Sequence, residues 1–381
     1  MVKMLEQSLI EELLTVTNGE IALANNESSR RRAWDRFFRS PLQEGGAESV
    51  IEHEKTVLQF RGDFFSLDRL ELMLEEMARC GPYAPRIALI HAEVASMGHR
   101  FIDARRHLEQ AQSDLALSAE AAKLRLTIDQ ACGLNVDAVL RERHRSARAA
   151  GRMQDFVALG ALLADLGDFA EADACYQQAI RRYREASPFP IAWVWFQRGV
   201  LWGELMPDTR PDVAERFYRR AVDLLPGFVR AHVHLAEILI SHERFEEAEA
   251  TLLPVVESCD AEAHWRLSDA LVAQGRSAEA AVRLKTAHDL FDLCLTHHLL
   301  AFADHGAAFF ADSGADNHRA VELAKVNVAN RPTLRACEQA YAITIEAGDR
   351  TAASGILAQS RQLWGNTRAF QLSKLAGDLA G

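Results

Sequence analysis

The sequence predicts an all-α solenoid of stacked helical hairpins, and three observations carry that reading. Laid on itself, the 381-residue chain repeats a pattern of apolar and small residues at a spacing near the ~34 residues of a helix–turn–helix array. No stretch alternates apolar and polar residues for long enough to propose a strand. Only 10 prolines interrupt the whole chain, which leaves room for long helices.

Taken in order, residues 1–47 are expected to form an arm: a helix over 1–25 and then a linker within Asn26 to Gly46. Asn25-Asn26, Ser28-Ser29, Pro41 and Gly45-Gly46 are the loop signals there. Trp34, Phe37 and Phe38 are placed to dock on the first hairpin. Residues 48–152 hold degenerate hairpins. Gly62-Asp63-Phe64 followed by Leu67, Leu70 and Leu74 marks one across Glu48 to Cys80. Ala92, Phe101, Ala104, Leu108 and Ala111 mark another, and a pair broken at Gly133 to Asn135 follows.

Residues 153–294 carry the clearest units. Met153 to Ala186 has Leu159-Gly160, Leu163, Gly167-Asp168-Phe169, Ala172, Tyr176 and Ala179. The next unit has Trp195, Gly199, Trp202, Ala214, Tyr218, Ala221 and Pro226, with extra residues within Pro207 to Asp212. Units starting near Val229 and Ala261 repeat the spacing. Residues 295–381 hold two weaker hairpins, Leu299 to Pro332 and Leu334 to Trp364, and a capping helix over Thr367 to Leu379. The physical logic is close packing. Gly160, Ala172 and Ala179 let two helix backbones approach, and Leu163 and Tyr176 fill the space beside them. One hairpin cannot bury its apolar face alone, so hairpins stack.

These residues resemble the tetratricopeptide repeat, with small side chains at the eighth, twentieth and twenty-seventh positions and proline near the thirty-second. The resemblance implies a right-handed solenoid of about seven to eight hairpins. It also implies a concave groove lined by the first helix of each pair, whose second, fifth, sixth and ninth positions face a bound peptide. On the well-matched units, those positions nominate Trp193, Phe196, Arg230, Val233, His234, Glu237, Trp265, Arg266 and Asp269. The wall is expected to be apolar near Val157 to Phe196 and mixed in charge from Arg230 to Asp269. The repeat's fourth and eleventh positions assign Trp195 and Trp202 to packing between helices. The carboxylate clamp that some members use for a chaperone's terminus is not matched, because the slots hold Val, Phe, Glu and Asp.

Composition narrows the function. A net charge of −11 argues against phosphate-backbone binding. The two arginine stretches, Arg30-Arg31-Arg32 with Arg36 and Arg39, and Arg141 to Arg152, are read as solvated helix faces or docking patches, with a regulatory nucleic-acid partner as the lesser reading. Six scattered cysteines form no CxxC element, so neither a disulfide framework nor a structural zinc site is expected from them. No apolar run of 18 residues exists, and Met1 to Leu14 carries Glu6, Glu11 and Glu12, which does not fit a secretory signal. A cytoplasmic location follows as an expectation.

His232 and His234 are two apart and point to opposite sides of a helix. His232 and His264 share the packing slot. His234 and Glu237 share a face and provide the one chelating geometry, opposed by Arg266. His297-His298 and His305 are expected at surface or core positions. No phosphate loop, GxGxxG, GxSxG or HExxH occurs. The expectation is a non-enzymatic scaffold that binds a protein or peptide in its groove, with no cofactor and no membrane partner. Self-filling by the arm or by a twin subunit is the alternative for the groove. A metal- or small-ligand-binding accessory protein using His234 and Glu237 is the alternative function.

Overall fold

The computed structural model describes residues 16–81 and 84–378, and helices fill almost all of it, with no strand among the described residues. The arm differs from expectation. One helix, α1 (Gly19–Arg39), runs through Asn25-Asn26 and Ser28-Ser29. It is capped by the Asn18 side chain, which accepts from the Glu20 and Ile21 amides. Polar residues on a helix face that reaches water cost little, so these apparent loop signals report exposure. The part of the arm helix expected over residues 1–15 lies outside the described residues.

The hairpins then follow as α2 (Gly46–Arg61) with α3 (Phe65–Cys80), α4 (Pro85–Met97) with α5 (Phe101–Ala111), and α6 (Ser118–Ala131) with α7 (Val136–Ala149). Next come α8 (Met153–Leu166) with α9 (Phe169–Arg182), and α10 (Pro188–Val200) with α11 (Pro211–Leu224). A π-helical turn at Leu201–Leu205 extends α10. Then come α12 (Val229–Ser241) with α13 (Phe245–Leu252), and α14 (Ala261–Ala273) with the 35-residue α15 (Ser277–Ala311). That long helix is two helices joined at His298, whose φ of −138° and ψ of 55° break the helical path. Its second half pairs with α16 (Asn317–Asn330), and α17 (Leu334–Glu346) pairs with α18 (Arg350–Trp364). The expected capping helix is two short pieces, α19 (Arg368–Leu372) and α20 (Lys374–Asp378), separated at the extended Ser373.

The small-residue logic holds at atomic scale. A Cβ on Gly160 would stand 2.9 Å from the Tyr176 ring, and one on Gly199 only 2.3 Å from the Tyr218 ring. Only hydrogen fits where each tyrosine presses on the neighbouring helix. Trp195 is buried as expected. Trp202 is half-buried and donates from Nε1 to Asp173 Oδ1 at 3.2 Å. Asp173 also holds the buried Arg198 at 2.8 Å, and that guanidinium stacks 4.2 Å over Phe217.

The array winds back upon itself. Asp68 meets His297, 229 residues later in the chain. The Asn330 side chain donates to the His99 carbonyl across 231 residues. A Cβ on Gly133 would touch Trp364, and one on Gly167 would touch the Ala369 backbone. These contacts advance together along the chain, so these positions of the first turn lie beside ones 202 to 231 residues further on, roughly six to seven ~34-residue repeats. Phe60 of α2 carries the same closure inward, its ring 5.1 Å from Phe189 and 4.8 Å from Phe228. The concave groove thereby becomes the lumen of a closed superhelical turn.

Candidate functional site

The lumen has a volume of about 1870 Å³ and draws its wall from the helices between α6 and α20, except α11 and α13. From α8 come Gln154, Ala158 and Asp165, from α10 Trp193, Phe196 and Val200, and from α12 Arg230 and His234. Glu204, Glu262, Asp304, His305, Arg331 and Arg335 complete a charged belt. Its residues come from the π-helical turn, α14, α15 and the α16–α17 junction.

Of the nine residues nominated from sequence, Trp193, Phe196, Arg230 and His234 line this lumen. Trp193 is half-buried, its ring edge-on to Phe60 at 6.4 Å and 5.4 Å from Phe196. Phe196 is 5% exposed, so it presents only an edge. Val233 and Trp265 do not line an open wall, and that expectation is corrected. Val233 is covered within the apolar cluster that includes Phe60 and Phe228, because the returning α2 packs on α12. Trp265 is enclosed by Phe291 and Phe309, with the Arg266 guanidinium 3.6 Å above its ring.

Glu237, Arg266 and Asp269 form a polar string that leads to the lumen. Trp265 Nε1 donates to Ser313 Oγ at 2.9 Å, and Ser313 Oγ donates to Asp269 at 3.0 Å. Arg266 bridges Asp269 at 3.2 Å and Glu237 at 2.7 Å. Glu237 lies 3.6 Å from His234, which donates from Nδ1 to Glu204 at 2.8 Å. Tyr218 Oη and Arg335 also donate to Glu204, at 2.9 and 3.3 Å. The pair considered for chelation, His234 and Glu237, is thus engaged by Glu204 and Arg266.

The electrostatics follow from this pairing. Burial works to raise the Glu204 carboxyl, but His234, Arg335 and Tyr218 outweigh it and hold the group down to about 2. Burial works to lower His234, and Glu204 with Glu237 overrides it, raising the imidazole to about 9. Asp304 likewise raises His305 to about 9 against burial, with Glu262 accepting from its Nδ1 at 2.8 Å. Asp304 is in turn paired with Arg331. Each imidazole is thus held cationic near neutral pH by its own carboxylates, and Glu262 acts on both.

Sequence reasoning missed Glu204, Asp304, Arg331 and Arg335 as lumen residues. The extra residues after Trp202 were the available signal for Glu204. They accompany a π-helical turn, which shifts side-chain direction relative to an α-helix. His232 and His264 are both buried, as their shared packing slot predicts. In the first arginine stretch, Arg30 reaches Glu27 on its own helix and Glu54 on α2, and Arg31 reaches Glu27. In the second stretch, Arg145 pairs with Glu142, and Arg143 donates to Gln130 at 3.0 Å. No helix of the described residues is long and apolar enough to cross a membrane.

A family model described as the tetratricopeptide repeat matches residues 206–258, and a second of the same description matches residues 156–185. Among solved structures, the chain is similar to the APC/C hetero-tetramer Cut9–Hcn1, with 13% identity and a TM-score of 0.43. That similarity covers 92% of this chain and 68% of the other. Yeast Tom70 is similar at 13% identity over 94% of this chain and 95% of its own, with a TM-score of 0.33. PilF of Pseudomonas aeruginosa is similar at 15% identity over 59% and 97%, with a TM-score of 0.29. No curated protein matches the chain.

Proposed function

The chain is a tetratricopeptide repeat protein, and from that premise we propose that it is a non-enzymatic scaffold which holds a protein segment inside its lumen. The observation that carries this reading is the size and make-up of the lumen. About 1870 Å³ exceeds the roughly 300–1,000 Å³ of small-molecule pockets. Its wall sets the apolar edges of Trp193, Phe196 and Val200 beside Arg230, His234 and Glu204. Such a wall suits a segment with one apolar anchor flanked by polar and charged side chains. The belt's carboxylates and cations are already matched to each other. Binding is therefore expected to depend more on the anchor and on Arg230, which holds no ion pair among the described residues.

The test is selection of peptides from a displayed library, followed by fluorescence anisotropy with the purified full chain. Ala158→Trp fills the lumen and Arg230→Glu reverses its open charge. Each is expected to weaken a selected peptide at least tenfold, which is ~1.4 kcal/mol. Arg148→Glu in the second arginine stretch is expected to leave it unchanged. Equal binding by all three variants rejects the lumen as the site.

A further inference from the structure

We propose that Asp68, His297 and His298 form a site for a zinc-class divalent cation that joins the first superhelical turn to the second. His297 Nδ1 lies 3.0 Å from Asp68 Oδ1, and His298 Nε2 lies 3.2 Å from the same oxygen. The three ligand atoms all fall within 4.8 Å of one another. Bonds of 2.0–2.2 Å to a four-coordinate ion put neighbouring ligand atoms roughly 3.3 Å apart. The two Asp–His separations already match that edge, and closing the remaining one needs a movement of the half-exposed His297 ring.

Consecutive residues of an uninterrupted helix diverge by roughly 100° and could not both address one carboxylate oxygen. Here they do, because the backbone breaks at His298. The break also marks where one repeat ends and the next begins, so it turns a repeat boundary into a two-imidazole clamp. Two nitrogen ligands and one carboxylate, with a fourth position left for water, form a donor set used by zinc. Asp68 Oδ2 adds an independent sign. It is buried and accepts no hydrogen bond among the described residues. If the trio were only a pair of histidine hydrogen bonds, that oxygen would be left with its desolvation cost and no partner. A cation beside the carboxylate compensates it directly.

The site differs from the His234–Glu237 pair and does not depend on the lumen. Asp68 is in the first turn of α3, and the histidines are 229 and 230 residues further on. An ion held there fastens α3 to the middle of α15, across the seam where the array meets itself.

The test uses the chelator-stripped full chain, titrated with Zn²⁺ by calorimetry and with Co²⁺ by visible absorption. One Zn²⁺ per chain, with micromolar or tighter affinity, is expected. Four-coordinate Co²⁺ bands that Zn²⁺ displaces are also expected, together with a higher thermal midpoint in the presence of Zn²⁺. His297→Gln and Asp68→Asn should each weaken Zn²⁺ at least tenfold. His288→Gln, at an exposed Asp292 pair on the same helix, should not. Should Asp68→Asn fail to fold, His297→Gln decides, because that ring is 40% exposed and is not part of a core. Absence of stoichiometric uptake by the unmodified chain overturns the proposal, and so does uptake that survives His297→Gln.

Discussion

Phe60 and Trp193 meet edge to face, with ring centroids 6.4 Å apart and planes at 85°, although 133 positions separate them in the chain. The second helix of the array thereby reaches a residue nominated for partner contact. Removing that ring tests whether the winding is held from inside. Phe60→Ala deletes a side chain that is 4% exposed and is expected to cost ~3 kcal/mol. Chemical denaturation monitored by tryptophan fluorescence checks this, and α1–α3 should become susceptible to limited proteolysis before the rest.

The buried pair Asp173–Arg198 gives a second prediction. Asp173→Ala leaves the Arg198 guanidinium enclosed without its carboxylate, and a loss of ~3–5 kcal/mol is expected. Replacing both at once, Asp173→Leu with Arg198→Met, should recover most of that loss, since neither charge then remains buried alone. Urea midpoints of the single and double variants decide it. A double variant as unstable as Asp173→Ala rejects the account.

Two glycines separate steric from conformational cost. Gly199→Ala puts a methyl group 2.3 Å from the Tyr218 ring; the packed core cannot yield that much, and a loss of ~2–3 kcal/mol is expected. Gly275→Ala meets nothing within 4 Å, but its φ of +77° is strained for any side chain. It should cost ~1 kcal/mol. Thermal midpoints of the two variants should fall in that order.

His234 and His305 give the pH dependence. Both are raised from 6.5 to about 9 in the folded chain, by Glu204 and by Asp304 respectively. A folded value above the unfolded one means the stabilisation is complete below pH 6.5 and fades as pH climbs through 9. The thermal midpoint is therefore expected to drop between pH 7 and pH 9.5. The double variant His234→Gln, His305→Gln should show a flatter profile over the same interval. Glu204, held down to about 2, adds the opposite limb: its contribution stands above pH 4.5 and disappears as pH falls toward 2. Calorimetric scans across both intervals check the signs.

Local repeat structure was legible from sequence because each hairpin's code is local. Gly160 with Tyr176 and Gly199 with Tyr218 are short-range pairs, and their spacing announces the helix crossing. His232 and His264 fell into a packing slot for the same reason. The closure of the turn was not legible. Phe60, Asp68, His99 and Trp364 meet partners far outside their own repeat, and each looks like an ordinary surface or core residue in its own hairpin. Val233 was misplaced by that same blindness: its slot faces the groove in an isolated repeat, and α2 fills that space only after the chain has wound once. Glu204 was hidden by the π-helical turn, which changes the direction of a side chain without changing its neighbours in sequence.

Arrays of this kind ordinarily tolerate duplication or loss of a unit, since each repeat answers only to its neighbours. The 229- to 231-residue spacing between touching positions removes that freedom. An inserted hairpin anywhere between Asp68 and His297 would slide one coil along the other, and every seam contact beyond it would face a stranger. Length has become a property under constraint, and the unit of inheritance here is the whole ring.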